Sequence, residues 1–247
     1  LFSRSPRYRL DAEMFTDANI ITLAENFISV KVNPEDTERP INEEMRSRYS
    51  VTGYPAVLFI SPDGGLIKYH TGYATPDQFA PVMEDALKTE SKFQEKLEKL
   101  EAKPDDGKLN AEVALIYLER KQLEKGVLFS EKAFERDPKN KSKLIPKLHN
   151  QLGLTYGTLL ETADAEKSEA YFEKSVSHFK VLIDEYPNSD VYEPAQYYLG
   201  VTYAIKEHFE DSIAVLEKLS HHAKDANIRQ SAEAMLERVK DLANADR

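Results

Sequence analysis

The stretch Thr52-Gly-Tyr-Pro-Ala-Val-Leu-Phe-Ile-Ser-Pro-Asp-Gly64 decides how the first third of this 247-residue chain is read. Ala56–Ile60 is a short, unbroken apolar run, Ser61-Pro-Asp-Gly-Gly65 is turn chemistry, and Leu66–His70 reads as the returning strand of a hairpin. An apolar run of that length without alternation points to a strand covered on both faces, as in a mixed sheet sandwiched by helices. Toward the N-terminus, Asn26–Val32 alternates apolar residues and predicts a further strand, while Asp11–Glu25 and Asn42–Tyr49 predict helices. Toward the C-terminus, Thr75-Pro-Asp-Gln78 is a capping-box start with proline just inside the helix. Phe79, Val82, Met83, Ala86 and Leu87, then Phe93, Leu97 and Leu100, keep helical spacing. Pro81 sits awkwardly there and either kinks the first turn or delays the start to about Ala80. Lys103-Pro-Asp-Asp-Gly107 closes the segment. The expected organisation is a first domain over residues 1–88, a helical linker over 89–106 and a second domain over 107–247.

The second domain repeats itself. A small residue stands in each first helix, at Ala114, Gly153 and Gly200, and a tyrosine follows three positions later at Tyr117, Tyr156 and Tyr203. Gly126 and Ser212 come 12 positions after Ala114 and Gly200. Pro138 closes the first unit and Pro187 the middle one, which carries about ten extra residues. Counting back from Pro187 puts Ser175 and Phe179 in its second helix. This register resembles the tetratricopeptide repeat, in which small residues let paired helices approach and tyrosine fills the wedge. Leu219 and Lys224 depart from that family's usual alanine and proline, and Ser130 replaces an aromatic residue. Asn227–Leu242 is an amphipathic helix of the kind that caps a solenoid. The resemblance implies a concave groove lined by first helices, with Asn150, Gln151 and Leu154 from the middle unit and Tyr197, Tyr198 and Val201 from the third. The lysine and asparagine set with which chaperone-binding relatives clamp a carboxylate is incomplete. The first unit offers Lys108 beside Ala111, Glu112 and Leu115, so an acidic chaperone tail is not the expected ligand. Tyr186–Gly200 is similar to repeats of bacterial envelope proteins of Tol–Pal function and outer-membrane assembly, which favours an envelope or periplasmic setting over the cytoplasm.

The first domain resembles the thioredoxin family over about Leu1–Leu87. Thr52–Gly64 looks like that family's cis-proline loop, buried strand and hairpin turn. Leu10-Asp-Ala-Glu-Met-Phe15 looks like the helix after the active-site loop, and Asn26–Val32 like the next strand. The resemblance implies a cis bond before Pro55, with Thr52 and Tyr54 flanking a peptide-binding edge. It also places the redox Cys-x-x-Cys on Arg4-Ser5-Pro6-Arg7. Disulfide exchange needs one thiolate to attack and another to resolve the mixed disulfide, and arginine does neither. What the family leaves here is a scaffold whose sheet edge can pair with an extended peptide. Leu1-Phe2 reads as the tail of a strand, so residues upstream are expected.

Composition narrows the chemistry. The chain has 43 acidic and 33 basic residues, a net charge of −10, and both domains are acidic. That argues against a nucleic-acid backbone as partner, because such affinity comes from neutralising phosphates. There is no cysteine, hence no disulfide, thiolate nucleophile or Cys-ligated zinc. No apolar run approaches the roughly 18 residues of a membrane span. The six histidines read as solvated, since no His-Glu-x-x-His pair exists, and neither Gly-x-Ser-x-Gly nor a Gly-rich phosphate loop is present. Arg4 and Arg7 would hold a phosphate or carboxylate if they stand at a helix start, and otherwise form a solvated basic loop. The expectation is a protein-binding scaffold, neither an enzyme nor a holder of metal or cofactor, that takes a partner peptide in the helical groove. The alternative is a thioredoxin-family redox or chaperone-like protein whose active cysteines were lost or come from another domain or subunit.

Overall fold

The computed structural model describes residues 10–33, 36, 40–161 and 163–245. Arg4 and Arg7 lie outside them. The chain falls into two compact units, one running to Lys103 and joined by Glu119–Gln122, the other Pro104–Leu118 and everything from Leu123 on.

In the first unit a wide turn of π type, Leu10–Met14, precedes helix α1, Ala18–Ala24. The sequence predicts one helix here. Asp17 divides it, because its carboxylate accepts the backbone N–H groups of Asn19 and Ile20 at 2.9 and 3.2 Å and so starts a new helix. Helix α2 spans Pro40–Arg48. Strands β1, Ala56–Ile60, and β2, Leu66–Thr71, form an antiparallel pair with Ala56 opposite Thr71 and a register shift between Phe59 and Ile60. Their turn is fastened by Ser61, whose backbone N–H donates to Gly65 O at 2.8 Å while its hydroxyl accepts the Gly65 N–H at 2.9 Å. Gly64 sits at φ +84°, a conformation that favours glycine.

The expected strand Asn26–Val32 is absent. A strand exists through its ladder, and β1–β2 is the only ladder among the described residues. Phe27 turns inward to pack edge-on against Phe59, ring centroids 5.3 Å apart, whereas Ile28 is 95% and Val30 77% exposed. Helix α3, Pro76–Ala102, begins as the capping box requires, with the Thr75 N–H donating to Gln78 Oε1 at 3.1 Å. It runs through Pro81 without a break. Phe59, Phe79, Met83 and Ala86 close a core with Leu10, Met14 and Ile20. Arg120 belongs to this unit: it donates to Glu90 at 2.7 Å, and its guanidinium lies 4.2 Å above the Phe93 ring.

The second unit is helical: α4 Gly107–Glu119, α5 Leu123–Arg136, α6 Ile145–Leu159, α7 Ala165–Glu185, α8 Tyr192–Ile205, α9 Phe209–His222 and α10 Ala226–Ala245. From α6 to α10 each helix packs on the next. The repeat spacing has a physical counterpart. A Cβ added to Gly153 would stand 2.7 Å from the Phe179 ring, and one on Gly200 would stand 2.7 Å from Leu216. Beside each glycine the same bond recurs, Ser175 Oγ donating to Gly153 O and Ser212 Oγ to Gly200 O, both at 2.8 Å. In the first pair Gly126 takes the serine's place and lets Leu118 approach to 2.5 Å from where a Cβ would stand. Lys121 and Glu207, each seven positions after the small residue, turn the chain with positive φ of 60° and 59°. Tyr117, Tyr156 and Tyr203 are all buried.

Candidate functional site

Two sets of residues carry the sequence-based expectations, one in each unit. In the first, the loop before β1 presents Thr52 and Tyr54 outward, Tyr54 with 55% of its surface exposed. The Tyr54–Pro55 peptide bond is cis, the geometry that the resemblance implies. Pro55 is half-buried, and its carbonyl accepts the Gly72 N–H at 2.8 Å, which ties the loop to the end of β2. The loop offers shape and an exposed aromatic ring.

In the second unit, Asn150, Gln151 and Leu154 lie along α6 and Tyr197, Tyr198 and Val201 along α8, two helices in contact with each other. Leu154 is partly buried against the cluster that holds Ala195, Leu199 and Tyr203, so residues of both helices meet on this side. Tyr198 is 39% exposed and meets Tyr197 edge-on, ring centroids 5.3 Å apart. Tyr197 itself packs toward α9 and α10, in the cluster of Leu216, Leu219 and Ala232. Asn150 Oδ1 is buried without a hydrogen-bond partner. A buried carbonyl oxygen left unpaired costs on the order of 1–3 kcal/mol.

Two features were not anticipated. His149 on α6 and His178 on α7 are not solvated: their Nδ1 atoms face each other at 3.1 Å, and the His149 ring stacks on Phe134 with centroids 4.5 Å apart. At that separation one Nδ1 carries a proton and the other accepts it. Burial, reinforced by the partner ring, lowers the His149 pKa to about 4, and burial with nearby Lys174 does the same for His178. The rings stand 29 residues apart on different helices, and no local motif links them. The second feature is a shallow cleft of about 580 Å³ that runs along α7 and is walled by the α8–α9 turn. Among the described residues, no three or more His, Cys, Asp or Glu side chains are grouped so as to hold a metal ion, and no helix is long and apolar enough to cross a membrane.

Residues 8–87 match the family model of the thioredoxin-like domain. The chain therefore carries a thioredoxin-like domain over that stretch, built without a single cysteine. No curated protein and no solved structure matches the chain.

Proposed function

We propose that this chain is a non-catalytic adaptor, in which a tetratricopeptide-type array holds a segment of a partner protein and the thioredoxin-like domain works without redox chemistry. The observation that carries this reading is the recurrence of one joint in the second unit. The serine-to-glycine-carbonyl bond comes back in successive helix pairs, Ser175 to Gly153 and Ser212 to Gly200. Helix pairs stacked through one repeated joint curve and leave first helices on a common side, the geometry by which such arrays bind peptides. The repeat register assigns Asn150, Gln151, Leu154, Tyr198 and Val201 to that side, an aromatic and amide-bearing lining with little charge. It suits an extended or helical peptide better than a charged tail. The lack of any thiolate supports the redox-silent half of the proposal, since exchange begins with one.

The test has two arms. The full chain, immobilised, is used to capture partners from the source cell, and the captured protein is then titrated against wild type and Tyr198→Ala. The expected outcome is a loss on the order of 1–3 kcal/mol in affinity for the variant. Equal affinity for both forms, with binding lost instead in Tyr54→Ala, moves the site to the Pro55 loop and ends the groove proposal. In the second arm, insulin reduction with dithiothreitol stays at the level of boiled protein. Turnover above that level would revive the redox alternative.

A further inference from the structure

The cleft along α7 lies apart from the proposed groove, and no motif in the sequence pointed to it. We propose that it is a second docking site, one that takes an extended basic segment of a partner protein with two cationic side chains about six residues apart. Its floor is apolar and aromatic: Phe172, Val176 and Val181 from α7, with Tyr203 from the end of α8. His208 caps one end, its ring 4.8 Å from that of Phe172.

The rim is acidic and unneutralised. Glu173, Asp184 and Glu185 line it from α7 and Asp211 from α9. Among the described residues no ion pair engages the first three, and Asp211 has only the imidazole of His208 at 3.7 Å. Lys180 is the one basic residue of the lining. Its ammonium lies 6.0 Å from the Tyr203 ring centroid, and that of Lys206 lies 6.0 Å from Phe172. Both rings are thus occupied by cations from this chain, so a basic ligand engages the carboxylates of the rim and not the rings.

Spacing sharpens the ligand. Glu173 and Asp184 are eleven positions apart on one helix, so their backbones stand about 16 Å apart at 1.5 Å of rise per residue. An extended peptide covers that distance in about five residues at roughly 3.3 Å each, and because its side chains alternate faces the shortest same-face spacing that spans it is about six. A charge in the middle of the ligand would meet Lys180. The complement is therefore a segment basic at both ends and uncharged between, with a small apolar side chain facing Val176 and Val181.

The probe is a fluorescein-labelled heptapeptide with arginine at both ends and alanine and leucine between, titrated into the protein by anisotropy. A peptide of the same composition with its two arginines adjacent serves as comparator. Wild type is expected to bind the spaced peptide more tightly than the adjacent one. The surface variant Glu173→Gln/Asp184→Asn/Glu185→Gln should lose about tenfold, the sum of modest exposed charge pairs. A second variant, Glu95→Gln/Glu98→Gln/Glu101→Gln on exposed positions of α3, changes the net charge equally and should bind like wild type. Equal loss in both variants would mean attraction to the overall charge of −10 and overturn the site. So would indifference to arginine spacing, or no binding of the spaced peptide at millimolar concentration. None of these outcomes touches the groove on α6 and α8, which Tyr198→Ala reads separately.

Discussion

The two units solve the same problem, closing a core, with different joints. The first collects Leu10, Met14, Ile20, Phe59 and Phe79 from segments spread over seventy positions, around the two strands that pair among the described residues. Its stability rests on contacts distant in sequence. The second repeats a local joint, in which a glycine and a serine or glycine let neighbouring helices meet within a few dozen residues. A unit of the second kind adds stability pair by pair, because each helix finds its partner next along the chain. A unit of the first kind holds or fails as a whole, since its ring contacts Phe27–Phe59 and Phe59–Phe79 run through one residue.

The sharpest way to break this contrast is to empty each core in turn. Phe79→Ala and Phe179→Ala remove rings that are 1% and 0% exposed, and each is expected to cost about 3–5 kcal/mol. In calorimetry, Phe79→Ala should lower one transition sharply, while Phe179→Ala should broaden another as the repeats uncouple. A single transition that both substitutions shift alike would erase the distinction.

A smaller effect separates the units by pH. His149 and His178 ionise near pH 4 in the folded chain against 6.5 ordinarily, so the unfolded chain takes up protons first. The stability these rings confer is complete above pH 6.5 and is lost as pH falls toward 4, by about 3 kcal/mol per ring before solvent relaxation reduces it. The groups that face the pair are Lys174 and Tyr156, whose rings and charge adjoin His178, and Tyr186 beside His149. Urea titrations at pH 7 and pH 4.5, followed by circular dichroism, should show this loss in wild type and a reduced one in His149→Gln/His178→Gln. An unchanged difference between the two pH values in the double variant would assign the acid sensitivity elsewhere.

The smallest expected effect tests the joint itself. Gly153→Ala places a methyl 2.7 Å from the Phe179 ring and is expected to cost about 1–3 kcal/mol by overpacking. Gly53→Ala, with nothing within 4 Å, should change stability by less than about 0.5 kcal/mol. Equal costs in thermal melts would remove close helix approach as the reason for the small residues.

What could be read from sequence follows the same divide. The capping box Thr75–Gln78 and the small-residue and tyrosine spacing are local, since a helix satisfies its hydrogen bonds within itself. Asn26–Val32 has the alternation of a strand, but strand formation depends on a partner that the alternation does not specify. Asp11–Glu25 has helical spacing, and the competition of Asp17 for backbone N–H groups shows only once the turn is built. The positions proposed for a groove on α6 and α8 could be named because the repeat register numbers them. The His149–His178 pair and the α7 cleft could not, because each is assembled by packing between helices.

The middle repeat carries one more consequence. Helix α7 has 21 residues where its counterparts α5 and α9 have 14. Seven added residues are close to two full helical turns. The added residues precede the fourteen that match α5 and α9, so Ser175 holds the place of Gly126 and Ser212 and still reaches the carbonyl of Gly153. Growth at the helix start is invisible to the joint. A chain built this way can lengthen one helix without renegotiating the contacts of the others, and Ala165–Tyr171 is the surface that this insertion adds.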